Sequence, residues 1–384
     1  THEGVHDHGF NNVSTYGNLR RLMLEGRIPF DAWELAFYDN ALSVSGAVQA
    51  MRWTETSDGG GFIHSFNGPH SLFCDTMRSL RSLVLAHHLG HRLLGENDRS
   101  ISLLDRAITH ASTTATYNVY YGTDRDLYDV RGRVAHESLF NVTDGNYRAP
   151  STQQGYSPFT TWTRGLSWVM SGYAEQLEFL DTIEDDELKP LGGREHIRSM
   201  MLAAATAACD FYIEQTPTDG VPYWDTGAPG LAMMGDYLDR AAEPHNAHEP
   251  VDSSASAIAA QGLLHNGLDR LFASLCESHE GHVAVIRTVA AKRSGLVRQQ
   301  LVAALGSSSG GGLTRVLKEL EESAFISRDA CFGQLKRDAI YRLIDEYCLF
   351  HLTWVDRMRG ESQGYWMGRH STPAWQAWAG LAFE

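Results

Sequence analysis

The chain has 384 residues, 43% of them hydrophobic and 21% charged, enough for a large core; the length admits two domains or one large barrel. Its formal charge is −15 and no Lys/Arg cluster is evident, which speaks against a nucleic-acid partner. No run is long and apolar enough to span a membrane, so no membrane partner is expected.

An acidic protein still binds an anionic substrate where its pocket gathers its few arginines. The cysteines are Cys74, Cys209, Cys276, Cys331 and Cys348. Their number is odd and no CxxC spacing occurs, so they read as reduced thiols of a cytoplasm-like compartment. No signal peptide is evident. The chain opens at Thr1 inside a segment that looks functional, so an incomplete N-terminus is expected, with a periplasmic or secreted home as the alternative.

Helical periodicity runs through 9–26, 31–50, 72–95, 98–118, 160–182, 193–215, 251–273, 280–305, 312–324, 330–358 and 372–383. Asp31, Asp252-Ser253-Ser254 and Ser371-Thr372-Pro373 stand where caps belong. Strand signals are short. Residues 116–122 are expected to pair with 130–136, and 62–66 with a neighbour. The links at 53–70, 119–157, 216–250 and 359–371 are long and rich in Gly, aromatic and polar residues, the usual carriers of function on a helical scaffold. Helix, long loop, helix, repeated, suggests an all-α toroid. The run 307–312, SSSGGG, reads as a surface linker between helices.

Four stretches attract a chemical reading. His6-Asp7-His8-Gly9-Phe10 offers two His beside an Asp, but only His6 and His8 share a side of an extended strand and no third ligand is evident, so no metal is expected. Asp75 follows Leu72-Phe73-Cys74 and precedes a helix; it is either an N-cap or a catalytic acid. Pro150 to Tyr173 carries Gln154, Tyr156, Trp162, Arg164 and Trp168. A guanidinium between indoles suits a sugar acid, with rings on the pyranose and the cation on the carboxylate; an ordinary core helix is the bland alternative. Asp225 in Pro222-Tyr223-Trp224-Asp225, and Asp252 before a run of small residues, read as structural carboxylates beside tight helix packing.

These motifs, in this order, resemble the unsaturated glucuronyl hydrolases of glycoside hydrolase family 88. His6-Asp7-His8-Gly9-Phe10 resembles the family's His-Asp-hydrophobic-Gly-Phe motif, and Phe73-Cys74-Asp75-Thr76-Met77 the motif of its acid/base aspartate. Gln154-Gly155-Tyr156 with Trp162 to Trp168 resembles QGY…WxRGxxW, and Pro222 to Asp225 with Asp252 to Ala260 resembles PYWD…DSSAAAIAA. The likeness covers roughly residues 1–265. It departs at Ser79, where the family has Asn, and at Asn118, where a His of a Tyr-His-Val hairpin is expected. Residues 270–371 are a divergent or inserted region, within what is expected to be one domain spanning 1–384.

The resemblance implies an (α/α)6 barrel that hydrates the C4=C5 bond of a 4,5-unsaturated uronic acid at the non-reducing end of lyase-generated oligosaccharides. It implies Asp75 as acid and base, with a raised pKa, and Asp7 as its companion. Gln154, Tyr156, Trp162, Arg164, Trp168 and Asn118 would bind substrate. No metal or organic cofactor is implied, and the partner is an acidic oligosaccharide. Three alternatives stay open. A hydrolase of saturated uronides would hold Asp7 and Asp75 ~6.5–9.5 Å apart across a water. A lyase on a similar toroid would use Tyr156 as base. A binding protein would keep only the pocket.

Overall fold

The structure, a computed structural model, describes residues 5–263, 280–292, 295–305, 311–322, 325–329, 339–344 and 352. The chain divides into two compact units, Thr1–Asn266 and Gly267–Glu384, and the expected divergent region begins near that division.

The first unit is mainly helical. α1 (Asn18–Leu24), α2 (Ala32–Met51), α3 (Leu80–His88), α4 (Leu103–Tyr117), α5 (Thr163–Leu180), α6 (Asp185–Leu188) and α7 (Arg194–Glu214) precede α8, which begins at 253. Three of these starts, those of α2, α4 and α8, carry a side-chain cap. Asp31 accepts from the amides of Trp33 and Glu34 at 2.8 and 3.0 Å, Ser102 from Asp105 at 3.2 Å, and Asp252 from Ala255 at 2.9 Å. The Ser371 cap lies outside the described residues.

The strands are short. β1 (Trp53–Glu55) pairs antiparallel with β2 (Gly61–Ile63), as expected for the piece at 62–66. β3 (Ser71–Phe73), β6 (Glu137–Phe140) and β7 (Tyr147–Ser151) form a sheet with β6 central, and β4 (Leu93–Leu94) pairs with β5 (Ser100–Ile101). Residues 116–122 do meet 130–136, through a single Val119–Val134 bridge rather than full strands.

The core of this unit comes from α3, α4, α5 and α7. Leu80, Leu83, Ala107, Ala111, Val169, Met170, Tyr173 and Ala204 are all buried within it. Each large apolar side chain taken from water contributes about 1.5–3 kcal/mol. Two glycines set how closely α5 packs. A Cβ on Gly172 would stand 2.7 Å from Met77 Cβ, and one on Gly262 2.9 Å from the Met170 carbonyl carbon. The first contact presses the turn carrying Asp75 onto α5; the second shows why the segment after Asp252 is built of small residues.

The second unit has its own fold. α9 (Glu280–Ala290), α10 (Arg298–Leu305) and α11 (Gly311–Glu322) accompany a sheet of β8 (Leu296–Val297), β9 (Ile326–Asp329) and β10 (Ile340–Leu343). This corrects the helices expected at 280–305 and 330–358. Gly295, with φ +81°, ends the first helix and turns the chain into β8, while alternation in Ile340-Tyr341-Arg342-Leu343 makes a strand. The all-α reading thus describes the first unit, apart from its small sheets. Of the linker expected at 307–312, residues 307–310 lie outside the described residues while Gly311 and Gly312 open α11, and the expected helix at 372–383 also lies outside them. Among the described residues no helix is long and apolar enough to cross a membrane, and Cys74 and Cys209 are buried in the core.

Candidate active site

Two segments far apart in sequence meet at Asp75. β3 ends at Phe73, and Cys74–Ser79 continues as a 3-10 turn whose first residues are buried. The N-terminal segment lies over this turn. Gly9 allows it: a Cβ there would stand 2.4 Å from Ser79 Cα and 2.5 Å from the Arg78 carbonyl oxygen. Ser79, where the resemblance anticipates Asn, donates its hydroxyl to the His6 carbonyl. The docking brings His6 Nε2 to 3.3 Å from Asp75 Oδ2 and 3.9 Å from Asp7 Oδ1.

Asp75 is therefore a partner of His6 and not a free cap. Burial raises its pKa, but the His6 charge and hydrogen bond outweigh burial and hold the carboxyl below its usual range. This corrects the expected raised value. On His6, burial lowers the pKa, and attraction to Asp75 outweighs it and holds the imidazolium above its usual range. The pair is a buried cation and anion holding one proton between them.

A second histidine stands at this carboxylate. His136, just before β6, has its ring 5.1 Å from Phe73 and 4.8 Å from Trp162, and the Asp75 charge reaches it. Burial, the largest influence, pushes its pKa down, so the ring is neutral. Its Nδ1 accepts from the backbone amides of Gln153 and Gln154 at 3.1 and 3.3 Å. A neutral ring accepting at Nδ1 carries its proton on Nε2. That nitrogen is buried without a protein partner, as is Asp75 Oδ1. The cluster thus offers a donor and an acceptor that the described residues leave open.

Sequence reading missed His136. It lies outside every motif, and the one signal available was a His in the 130–136 arm of the predicted hairpin. Asn118, expected at that role, is fully buried and donates its amide to the carbonyls of Leu72 and Ala135 at 3.3 and 3.0 Å. It stitches the bridge to β3 and has no surface for a sugar.

The other expected residues are placed as follows. Asp7 is half-exposed, in a short 3-10 turn Asp7–Gly9. Trp162 is buried against His136, and Trp168 packs edge-on to Phe10 at 4.7 Å with Arg78 over its ring at 5.5 Å. Arg164 lies 5.5 Å over Trp162 and donates from Nε to Asp252 Oδ2 at 2.9 Å, so part of its charge is spent on a structural carboxylate. Gln154 and Tyr156 are exposed on the loop before α5. That loop is fastened by fully buried Asp225, whose carboxylate accepts from the amides of Tyr156 and Gly227, each at 2.9 Å. Among the described residues, no group of three or more His, Cys, Asp or Glu is arranged to hold a metal ion.

No family model matches the chain. An unsaturated glucuronyl hydrolase of Formosa agariphila is 26% identical over 159 residues, 41% of this chain and 30% of that protein. One of Bacillus sp. (strain GL1) is 30% identical over 129 residues, 34% of this chain and 26% of that protein. The matches thus span less than a third of these curated relatives' length. The crystal structure of an unsaturated glucuronyl hydrolase from Bacillus sp. GL1 is similar over 92% of this chain and 75% of that one, at 18% identity and a TM-score of 0.49. Over these stretches, the sequence of the chain is similar to curated unsaturated glucuronyl hydrolases.

Proposed function

We propose that the first unit is a glycosidase of the unsaturated-uronide type, built on the helical toroid of its relatives. It would hydrate the C4=C5 bond of a 4,5-unsaturated uronic acid at the non-reducing end of an acidic oligosaccharide. The observation that carries this reading is the buried His6–Asp75 pair, with Asp75 Oδ1 open, and a second histidine, His136, with Nε2 open and within reach of the Asp75 charge.

The substrate is an enol ether, so the reaction needs a proton delivered to C4. Substrate entry removes water and disfavours separated charge, which moves the pair's proton from His6 to Asp75. Asp75 gives that proton to C4, and cationic character develops at C5. The carboxylate then takes a proton from water as its oxygen bonds to C5. The hemiketal opens to a ketone at C5 and a hemiacetal at C1, and the hemiacetal collapses to an aldehyde as it releases the remaining sugar as an alcohol. Water's proton returns to the pair, so one carboxylate serves both steps. Asp7 orders the sugar hydroxyls or the water, and His136 donates from Nε2. Trp162 and Trp168 wall the ring, with Gln154, Tyr156 and Arg164 at its polar edge.

The test is ultraviolet absorbance during incubation with lyase-generated unsaturated disaccharides beside saturated uronides. Loss of the double-bond absorbance, with deuterium from solvent entering at C4, is the expected result. Sugar release from saturated uronides alone would overturn it.

A further inference from the structure

The second unit has a topology that the hydrolase reading does not use. Its elements run helix, strand, helix, helix, strand, strand, and the last strand, β10, lies between β8 and β9. β9 and β10 pair antiparallel from Asp329–Ile340 to Ile326–Leu343. This is the order of a winged helix-turn-helix: α10 and α11 form the helix pair and β9–β10 the wing. The unit has its own core, with Val285, Ile286 and Val289 from α9, Leu301 from α10, Leu317 and Leu320 from α11, and Tyr341 from the sheet. These are the positions such a fold must bury.

In a helix-turn-helix the second helix enters the major groove with its N-terminal half. Here that helix is α11. Leu317 and Leu320 face the core, and Thr314, Arg315 and Lys318 are exposed. Arg298, at the start of α10, donates to Thr314 Oγ1 at 2.6 Å and so ties the two helices at this face. Arg315 pairs with Glu319 at 2.8 Å but stays 72% exposed, so the contact is solvent-screened and weak. Lys318 shares the C-terminal half of α11 with the acidic residues Glu319, Glu321 and Glu322, and Glu319 is also held by His282 at 2.8 Å. The wing adds exposed Arg328 and Arg342, the latter 3.3 Å from Asp329.

Residues 280–344 contain ten Lys and Arg against six Asp and Glu, in a chain whose net charge is −15. The second unit as a whole, with fourteen Lys and Arg against thirteen Asp and Glu, is near neutral, so the chain's negative charge belongs to the first unit and the stretch 280–344 is locally positive. A protein-binding groove would instead need apolar side chains, and on α11 the exposed Thr314, Arg315 and Lys318 are polar or charged.

We propose that the second unit binds duplex DNA through its described part within 280–344, with α11 in the major groove and the paired strands β9 and β10 against the phosphate backbone. Affinity then comes mainly from phosphate contacts and falls steeply with salt.

The test is fluorescence anisotropy of a short labelled DNA duplex titrated with the full chain. With three to four phosphates neutralised, affinity should fall about 50-fold between about 50 and 200 mM salt, a log–log slope of about −3. The double variant Arg315→Glu, Lys318→Glu should bind at least about tenfold more weakly, with the slope shallower by about 2. Arg328→Glu, on the wing, should weaken binding independently. All three side chains are exposed, and an unchanged circular dichroism spectrum checks the fold. No binding at the lower salt, binding indifferent to salt, or binding unaltered by these charge reversals would overturn the proposal. Capture of a protein partner with DNA inert would assign the face to that protein and overturn it equally.

Discussion

His6 Nε2 lies 3.3 Å from Asp75 Oδ2, an imidazolium against a carboxylate, both withdrawn from solvent. The pair stabilises the fold only while both are charged. His6 has a raised folded pKa, so its contribution is full below about 6.5 and is lost as pH rises through the folded value. Asp75 has a depressed one, so its contribution is full above about 3.9 and is lost as pH falls through the folded value. His6→Gln should therefore lower the melting temperature most between these limits, and thermal melts across pH check it. A melting difference independent of pH would mean that the pair is not ionised as described.

Asp75→Asn removes the group that moves the proton. It should lower kcat/KM on an unsaturated disaccharide by about 10³-fold or more. The fold should survive, because without the carboxylate burial simply keeps His6 neutral. Turnover within tenfold of wild type would remove Asp75 from the chemistry.

His136 has two jobs, and one substitution removes both. Its Nδ1 holds the Gln153 and Gln154 amides, and its Nε2 is the open donor. His136→Ala loses both and should reduce kcat about 100-fold while raising KM. An unchanged kcat would confine the residue to holding the loop.

Gly9→Ala would push a methyl into the backbone of Ser79 and Arg78. Either the N-terminal segment lifts or the turn shifts, at a cost of about 2 kcal/mol. Activity should fall with stability, because His6 and Asp7 ride on that segment. A fully active Ala variant would show that the docking is dispensable.

Arg164→Ala strips a partner from Asp252, which caps α8. It should cost stability of about 1 kcal/mol and weaken binding of acidic substrates more than neutral ones. An equal effect on both classes would leave Arg164 purely structural.

The sequence carried the local parts of this site and hid the composite ones. His6, Asp7 and Asp75 lie in short motifs, and the turn and caps around them follow from neighbouring residues. The pairing of His6 with Asp75 depends on Gly9 fitting over Ser79, a packing fact with no periodicity. The Asp75 pKa went the other way for the same reason: greasy neighbours are visible in sequence, a distant imidazolium is not. Asn118 was misplaced because a single bridge at Val119–Val134 leaves register weakly marked, and the ring in question lies on the opposite arm. In the second unit, the apolar run near 340 reads as helix until alternate burial in β10 is seen.

Asp225 has a consequence for how substrate comes and goes. Loop amides usually exchange with solvent first, yet those of Tyr156 and Gly227 donate to a carboxylate with no exposed surface. Their deuterium uptake should lag like that of a helix interior. The rim carrying Gln154 and Tyr156 is then a fixed sill and not a flap.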